Sequence, residues 1–243
     1  MIRILKESQL IHLLALAAFP KRNSRVTVQF ALLPGESETR LLCQAHGLVE
    51  VDENPRLYWQ FLAPVEGVTG LDEPVTLPES LVRYLIKAKF TEDIILKTYT
   101  HGIEVVDSHT GMSRSFAAGN PPPAVASTTE IIPIKPIEQD WATGLAVLFS
   151  ASGLPAEAAP EYLSAVFEFK GSVLQISAGH DGEAASTQCF LQGSLPSCHY
   201  LVPTFEIKSL LDHGVLQSDN LEFQCSDDSL GIHVPGLFQK TFY

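Results

Sequence analysis

The sequence predicts an α+β protein made of two tandem copies of one unit, and three observations carry that expectation. A proline-rich break divides the chain near its middle. The segments that precede the break and the chain end run through the same closing order of elements. The openings of the two halves agree as well.

The break is the run from Ala117 to Thr129, AAGNPPPAVASTT. Pro121, Pro122 and Pro123 donate no backbone hydrogen bonds and favour an extended path, so the run reads as a connector of some stiffness. The same composition also suits a long surface loop within one domain. Read as a connector, it sets a first domain over 1–118, a linker over 119–129 and a second domain over 130–243.

Period-two alternation of apolar residues, with turn residues between runs, points to short antiparallel strands. The first copy opens with a strand at Ile2–Lys6 and a helix at Glu7–Phe19. Strands follow at Arg25–Leu33, Leu41–Gln44, Leu48–Asp52 and Leu57–Leu62. A second helix spans Pro78–Lys89, with proline suited to its first turn. Asp93–Tyr99, Gly102–Asp107 and Arg114–Ala118 close the copy as strands. The second copy opens with a strand at Glu130–Ile134 and a helix at Ile137–Ala151. Its middle strands are Ala165–Phe169, Val173–Ser177 and Ala185–Leu191. Its second helix is Thr204–His213, for which Thr204 suits the N-cap. Asn220–Ser226, Ser229–Val234 and Gln239–Tyr243 close it. The first two closing strands of each copy share an offset of 127 residues without gaps.

Composition narrows the function. At 45% hydrophobic and 18% charged residues the chain buries real cores. A net charge of −12 excludes a uniformly basic nucleic-acid binder but not a local basic surface. Residues 1–118 carry 12 basic and 14 acidic side chains, whereas 119–243 carry 4 and 14, so a basic surface must come mainly from the first half. Cys43, Cys189, Cys198 and Cys225 form no CxxC pair and have no histidine at metal-ligand spacing. They read as reduced, mostly buried thiols of a cytosolic protein. The apolar run Leu10–Phe19 lacks a signal-peptide cleavage pattern, and no run reaches the ~18–20 residues of a membrane span. A cytoplasmic protein, nucleoid-associated, or a nuclear one in a eukaryote, is expected, with no membrane partner.

Signals for catalysis are poor. Gly179-His180-Asp181-Gly182 and Asp107-Ser108-His109 place acid–base groups in turns without a nucleophile or an anchored partner. No P-loop or GxGxxG is present. The expectation is a non-enzyme with no catalytic residue, cofactor or metal. Trp59 and Trp141 read as core residues.

This arrangement resembles the DNA sliding-clamp superfamily over nearly the whole chain, in domain order and pattern. The resemblance implies a repeated β-α-β-β-β unit, with antiparallel sheets outside and helices on one face lining a hole. Two-domain clamps of PCNA-like and phage type are about this length and close as three chains, while the bacterial β type has three domains per chain and closes as two. It implies a processivity factor that forms a homotrimeric ring around double-stranded DNA without sequence preference. The implied partners are DNA polymerases or repair enzymes, docked through short peptide motifs, and a separate ATP-dependent clamp loader.

In that setting the second helix supplies DNA-facing candidates. Leu81, Val82, Leu85 and Ile86 form its apolar stripe, and Arg83 and Lys87 lie four apart on another face, with Lys89 following. Lys21, Arg22 and Lys208 come next. An ordinary solvated helix with cations near its C-terminus has the same pattern. Helices Glu7–Phe19 and Ile137–Ala151 carry no Lys or Arg. That scarcity keeps two alternatives open: a clamp-fold interaction module that does not encircle DNA, and an unrelated two-domain binding protein. Client-binding candidates, by position, are His46 and Leu48 in the expected turn CQAHGLV, Val125 in the connector, and Pro235, Leu237 and Tyr243 at the chain end. A turn histidine, an exposed connector valine and end-of-chain packing explain the same residues without a client.

Overall fold

A computed structural model of the chain describes residues 1–17, 26–49, 52–88, 90–122, 132–136, 164–180, 183–212 and 214–243. They fall into two compact units. The first holds the described residues up to 122 together with Gly236–Phe238, and the second holds those from 132 to 235 together with Gln239–Tyr243.

In the first unit, β1 (Ile2–Ile4) leads to α1 (Leu10–Leu16). Then come β2 (Val26–Leu33), β3 (Thr39–Val49), β4 (Asp52–Val65), β5 (Val68–Thr69) and β6 (Val75–Leu77). α2 (Glu79–Lys87) is followed by β7 (Ile94–Tyr99), β8 (Gly102–Asp107) and β9 (Ser113–Ala117). One sheet runs in the order β5-β1-β7-β8-β9. A second places β4, β3, β2 and β6 side by side. Neighbours within both are antiparallel.

The alternation that predicts these strands is the alternation of burial. Ile94 and Leu96 on β7, Ile103 and Val105 on β8, and Phe116 on β9 turn inward. Leu10, Leu13, Leu14 and Leu16 of α1 are buried, as are Leu81, Val82 and Leu85 of α2, and the two helices pack on each other. Each such side chain contributes about 1.5–3 kcal/mol of apolar burial. Asp93 ties the N-terminal strand down: its Oδ1 accepts the Lys6 amide at 3.0 Å and its Oδ2 pairs with Arg3 at 2.6 Å. The Lys6 amide first, and Arg3 after it, hold the Asp93 carboxyl below the usual carboxylate range.

The second unit contains β10 (Ile132–Pro136), β11 (Ser164–His180), β12 (Glu183–Pro203), α3 (Thr204–Asp212), a 3-10 turn at Val215–Gln217, β13 (Glu222–Cys225), β14 (Leu230–Val234) and β15 (Phe238–Phe242). Its strands lie in the order β11-β12-β10-β13-β14-β15. Phe169 meets Tyr200 and Phe223 edge-on, with centroids 5.9 and 6.0 Å apart. Ile207 and Leu210 of α3 are buried.

Several boundaries differ from the sequence expectation. The first helix begins at Leu10 and not at Glu7, because Lys6 and Glu7 sit in a turn and Ser8 Oγ takes up the Leu10 amide at 3.3 Å. The expected strand Leu41–Gln44, and Leu48 and Val49 of the expected strand Leu48–Asp52, belong to β3, which runs from Thr39 to Val49 with register shifts at Ala45/His46 and Leu48/Val49, while Asp52 opens β4. Ala165–Phe169 and Val173–Ser177 fuse into β11, because Gly171, at φ +60°, lets register shifts on either side of it be absorbed as a bulge. Ala185–Leu191 extends to the 21 residues of β12. The expected helix Ile137–Ala151, with Trp141, lies outside the described residues. Trp59 is buried at 1% exposure.

Candidate functional site

α2 is the described element that presents cations together. Its buried stripe fixes the opposite surface, where Arg83 is half-buried and Lys87 exposed. Arg83 is engaged within the helix, its Nη2 lying 2.6 Å from Glu79 Oε1 one turn earlier. Lys87 carries no ion pair among the described residues. Lys89, Lys21 and Arg22 lie outside the described residues, and so does the side chain of Lys208 on α3.

The cations of the second unit are committed elsewhere. Lys135 pairs with Glu222 at 3.2 Å, and Lys170 with Glu168 at 2.8 Å. Lys240 and Glu206 pair with both side chains at zero exposure. Each lysine of this unit whose side chain is described is therefore already neutralised by a carboxylate, a partnering that the sequence pattern does not signal.

The client-binding candidates are placed individually. His46 is not in a turn: it lies within β3, paired with Thr27 on one side and Leu57 on the other. The neighbouring Gly47, which reads as turn chemistry, is there because a Cβ at this position would meet the Tyr58 ring at 1.9 Å. His46 is half-buried and its Nε2 is 3.3 Å from Gln44 Oε1, which in turn belongs to the amide that donates to Gln60 at 3.1 Å. Burial lowers the pKa of its imidazole from the ordinary value. Leu48 is also in β3 rather than in a turn; its side chain, and Val125 altogether, lie outside the described residues. Pro235 is exposed and Leu237 half-buried in the turn between β14 and β15, at whose centre Gly236 has φ +75°. Tyr243 is half-buried at the end of the chain, and burial raises its phenol above the ordinary value.

Two features emerge only in three dimensions. The first is the set of strands that end the sheets among the described residues: β5, β6 and β9 in the first unit and β11 in the second. The bonds Asp107 N–H to Met112 O and Ala118 N–H to His101 O fix the phase of the β8–β9 ladder. Ser113, Ser115 and Ala117 therefore turn their backbone groups away from β8. The second is Arg114 of β9, exposed, with its guanidinium carbon 5.0 Å from the Tyr84 ring centroid.

Among the described residues no group of three or more His, Cys, Asp or Glu is arranged to hold a metal ion, and no helix is long and apolar enough to cross a membrane.

No protein-family model matches the sequence, and no curated protein does. Solved structures do match. The Helicobacter pylori beta clamp aligns over 100% of this chain and 64% of its own, at 12% identity and a TM-score of 0.65. The DNA polymerase III subunit beta of Pseudomonas aeruginosa aligns over 100% and 64%, at 15% identity and a TM-score of 0.64. This chain thus spans about two thirds of the length of those proteins. Its described antiparallel sheets and few helices match theirs: the chain has the sliding-clamp fold.

Proposed function

We propose that the chain is a sliding-clamp subunit, three copies of which close a ring around duplex DNA and dock polymerases or repair enzymes through short peptides. The observation that carries this reading is that, among the described residues, β9 of the first unit and β11 of the second are sheet-border strands, and that they are different strands. A contact that joins two different borders is head-to-tail, and it terminates only when the rotation it imposes closes a circle. Closure also removes the edges that would otherwise invite aggregation.

The beta clamps it matches are covered over 64% of their own length. Such a ring holds DNA by topology, so it performs no chemistry and needs neither cofactor nor metal. An ATP-dependent loader is a separate protein in this reading. Light scattering at micromolar concentration should return three 26.5 kDa chains, about 80 kDa. A particle that stays at one chain's mass up to about 50 μM would sink the proposal.

A second reading, a clamp-fold interaction module that never encircles DNA, is favoured by one specific observation: the described lysines of the second unit are all ion-paired. Loss of the protein from closed circular DNA as fast as from linear DNA would select it.

A further inference from the structure

Of the cations legible in the sequence of α2, Arg83 is not well placed to meet a polyanion. Arg83 is already held by Glu79. Arg114 reaches the same helix from the sheet. It stands two residues before Phe116 on β9, so the two share a strand face. Its guanidinium carbon lies 5.0 Å from the centroid of Tyr84 and 5.4 Å from that of Phe116. Tyr84 is itself braced by Phe90, edge-on at 5.8 Å. Tyr84 and Lys87 are three apart on α2 and therefore neighbours on its surface.

A guanidinium whose carbon lies this close to two aromatic rings is attracted by them. Its N–H groups point outward in its own plane and match the oxygens of a phosphate two at a time. This attraction also restricts a long side chain before any ligand arrives, which lowers the ordering cost of binding. Arg114 is exposed, and among the described residues neither it nor Lys87 has a carboxylate partner. The lysines described in the second unit have theirs.

We propose that Arg114, set over Tyr84 and Phe116, is a phosphate-contacting residue that acts with Lys87, and that the DNA backbone is tracked from the wall of the first unit. This rests on the encirclement reading above and adds to it the residue that makes the contact.

The test uses the full chain and a fluorescent duplex of about 25 base pairs, with anisotropy read from roughly 25 to 150 mM KCl. Arg114→Gln should weaken binding about five- to tenfold at the lowest salt and reduce the slope of log affinity against log salt by about one. Tyr84→Leu removes the platform without touching the sheet border, and should weaken binding severalfold with the slope nearly kept. Lys97→Ala is the control: Lys97 pairs with Glu104 on the opposite face of the sheet and should leave both quantities unchanged. If wild type binds with a salt-dependent affinity while Arg114→Gln and Tyr84→Leu match it, the assignment of Arg114 is overturned and the ring reading survives. If wild type shows no salt-dependent binding, the assignment of Arg114 is likewise overturned, while the ring reading stands or falls on retention by a closed circle.

Discussion

Lys240 and Glu206 sit 34 positions apart and meet with no solvent access to either side chain. Two charges removed from water are tolerable only as a pair, so deleting one strands the other. Lys240→Met is expected to lower unfolding stability by about 3–5 kcal/mol, and Lys240→Met with Glu206→Leu to recover most of that loss, both read from urea denaturation. Equal stability of the single variant and wild type would show that the pair does not hold α3 to the last strand. The Cys225 thiol gives a second prediction. Burial is the main cause that pushes it up to about 12 from an ordinary 9.0, so folding favours its protonated form. Its contribution to stability is complete below about pH 9 and is lost as pH rises towards 12, because the unfolded chain then releases the proton first. Tyr200 and Tyr243, whose phenols burial also raises, act in the same direction. The midpoint of unfolding should therefore fall between pH 9 and 10.5, and less steeply in Cys225→Val.

At the level of elements the decisive strand is β9, whose outer backbone groups belong to Ser113, Ser115 and Ala117. Proline is tolerated on an edge strand where its missing N–H would have faced outward. Ser115→Pro should thus leave the ladder to β8 intact while blocking attachment of a neighbour. The expected outcome is an unchanged circular dichroism spectrum with the scattering mass reduced to one chain; an undiminished mass would place the contact elsewhere. Much at this level was legible beforehand, for physical reasons. Gly102–Asp107 is recovered to the residue because turn residues flank a strand with a clean period of two. α2 is recovered to within a residue or two because its apolar stripe and its first-turn proline agree. His46-Gly47 misleads because glycine also reads as turn chemistry, and only the three-dimensional neighbour Tyr58 explains it as a strand residue. Gly171 conceals a bulge in the same way. Arg83 and Lys87 were visible as a pattern, but Arg114 was not, since the rings that hold it come from α2 and from its own strand. The fold sets Glu222 beside Lys135 and Glu168 beside Lys170.

For the molecule as a whole the proposed function poses the question of how an acidic chain would keep hold of an acidic polymer. The balance of −2 in residues 1–118 against −10 in 119–243 would leave the first unit as the source of attraction, where, among the described residues, Arg114 and Lys87 have no carboxylate partner. Contacts this few give an affinity that salt screens readily, with log affinity falling by about 0.9 per phosphate neutralised for each decade of salt. A protein dependent on them alone leaves circular and linear DNA equally fast. A closed ring behaves differently: on linear DNA it leaves by sliding off an end, whereas on a circle it leaves only when a subunit border opens. To load without assuming a particular loader, the protein can be diluted until the borders separate and then reconcentrated over nicked circular plasmid. At about 0.5 M NaCl, where phosphate contacts are largely screened, the assembled ring should stay with the circle through gel filtration and be released on cutting with a single-site nuclease. Ser115→Pro should elute free of DNA in both cases. Co-elution of wild type with cut and uncut plasmid alike would mean attachment by contact, and loss from both would mean that no ring forms around DNA.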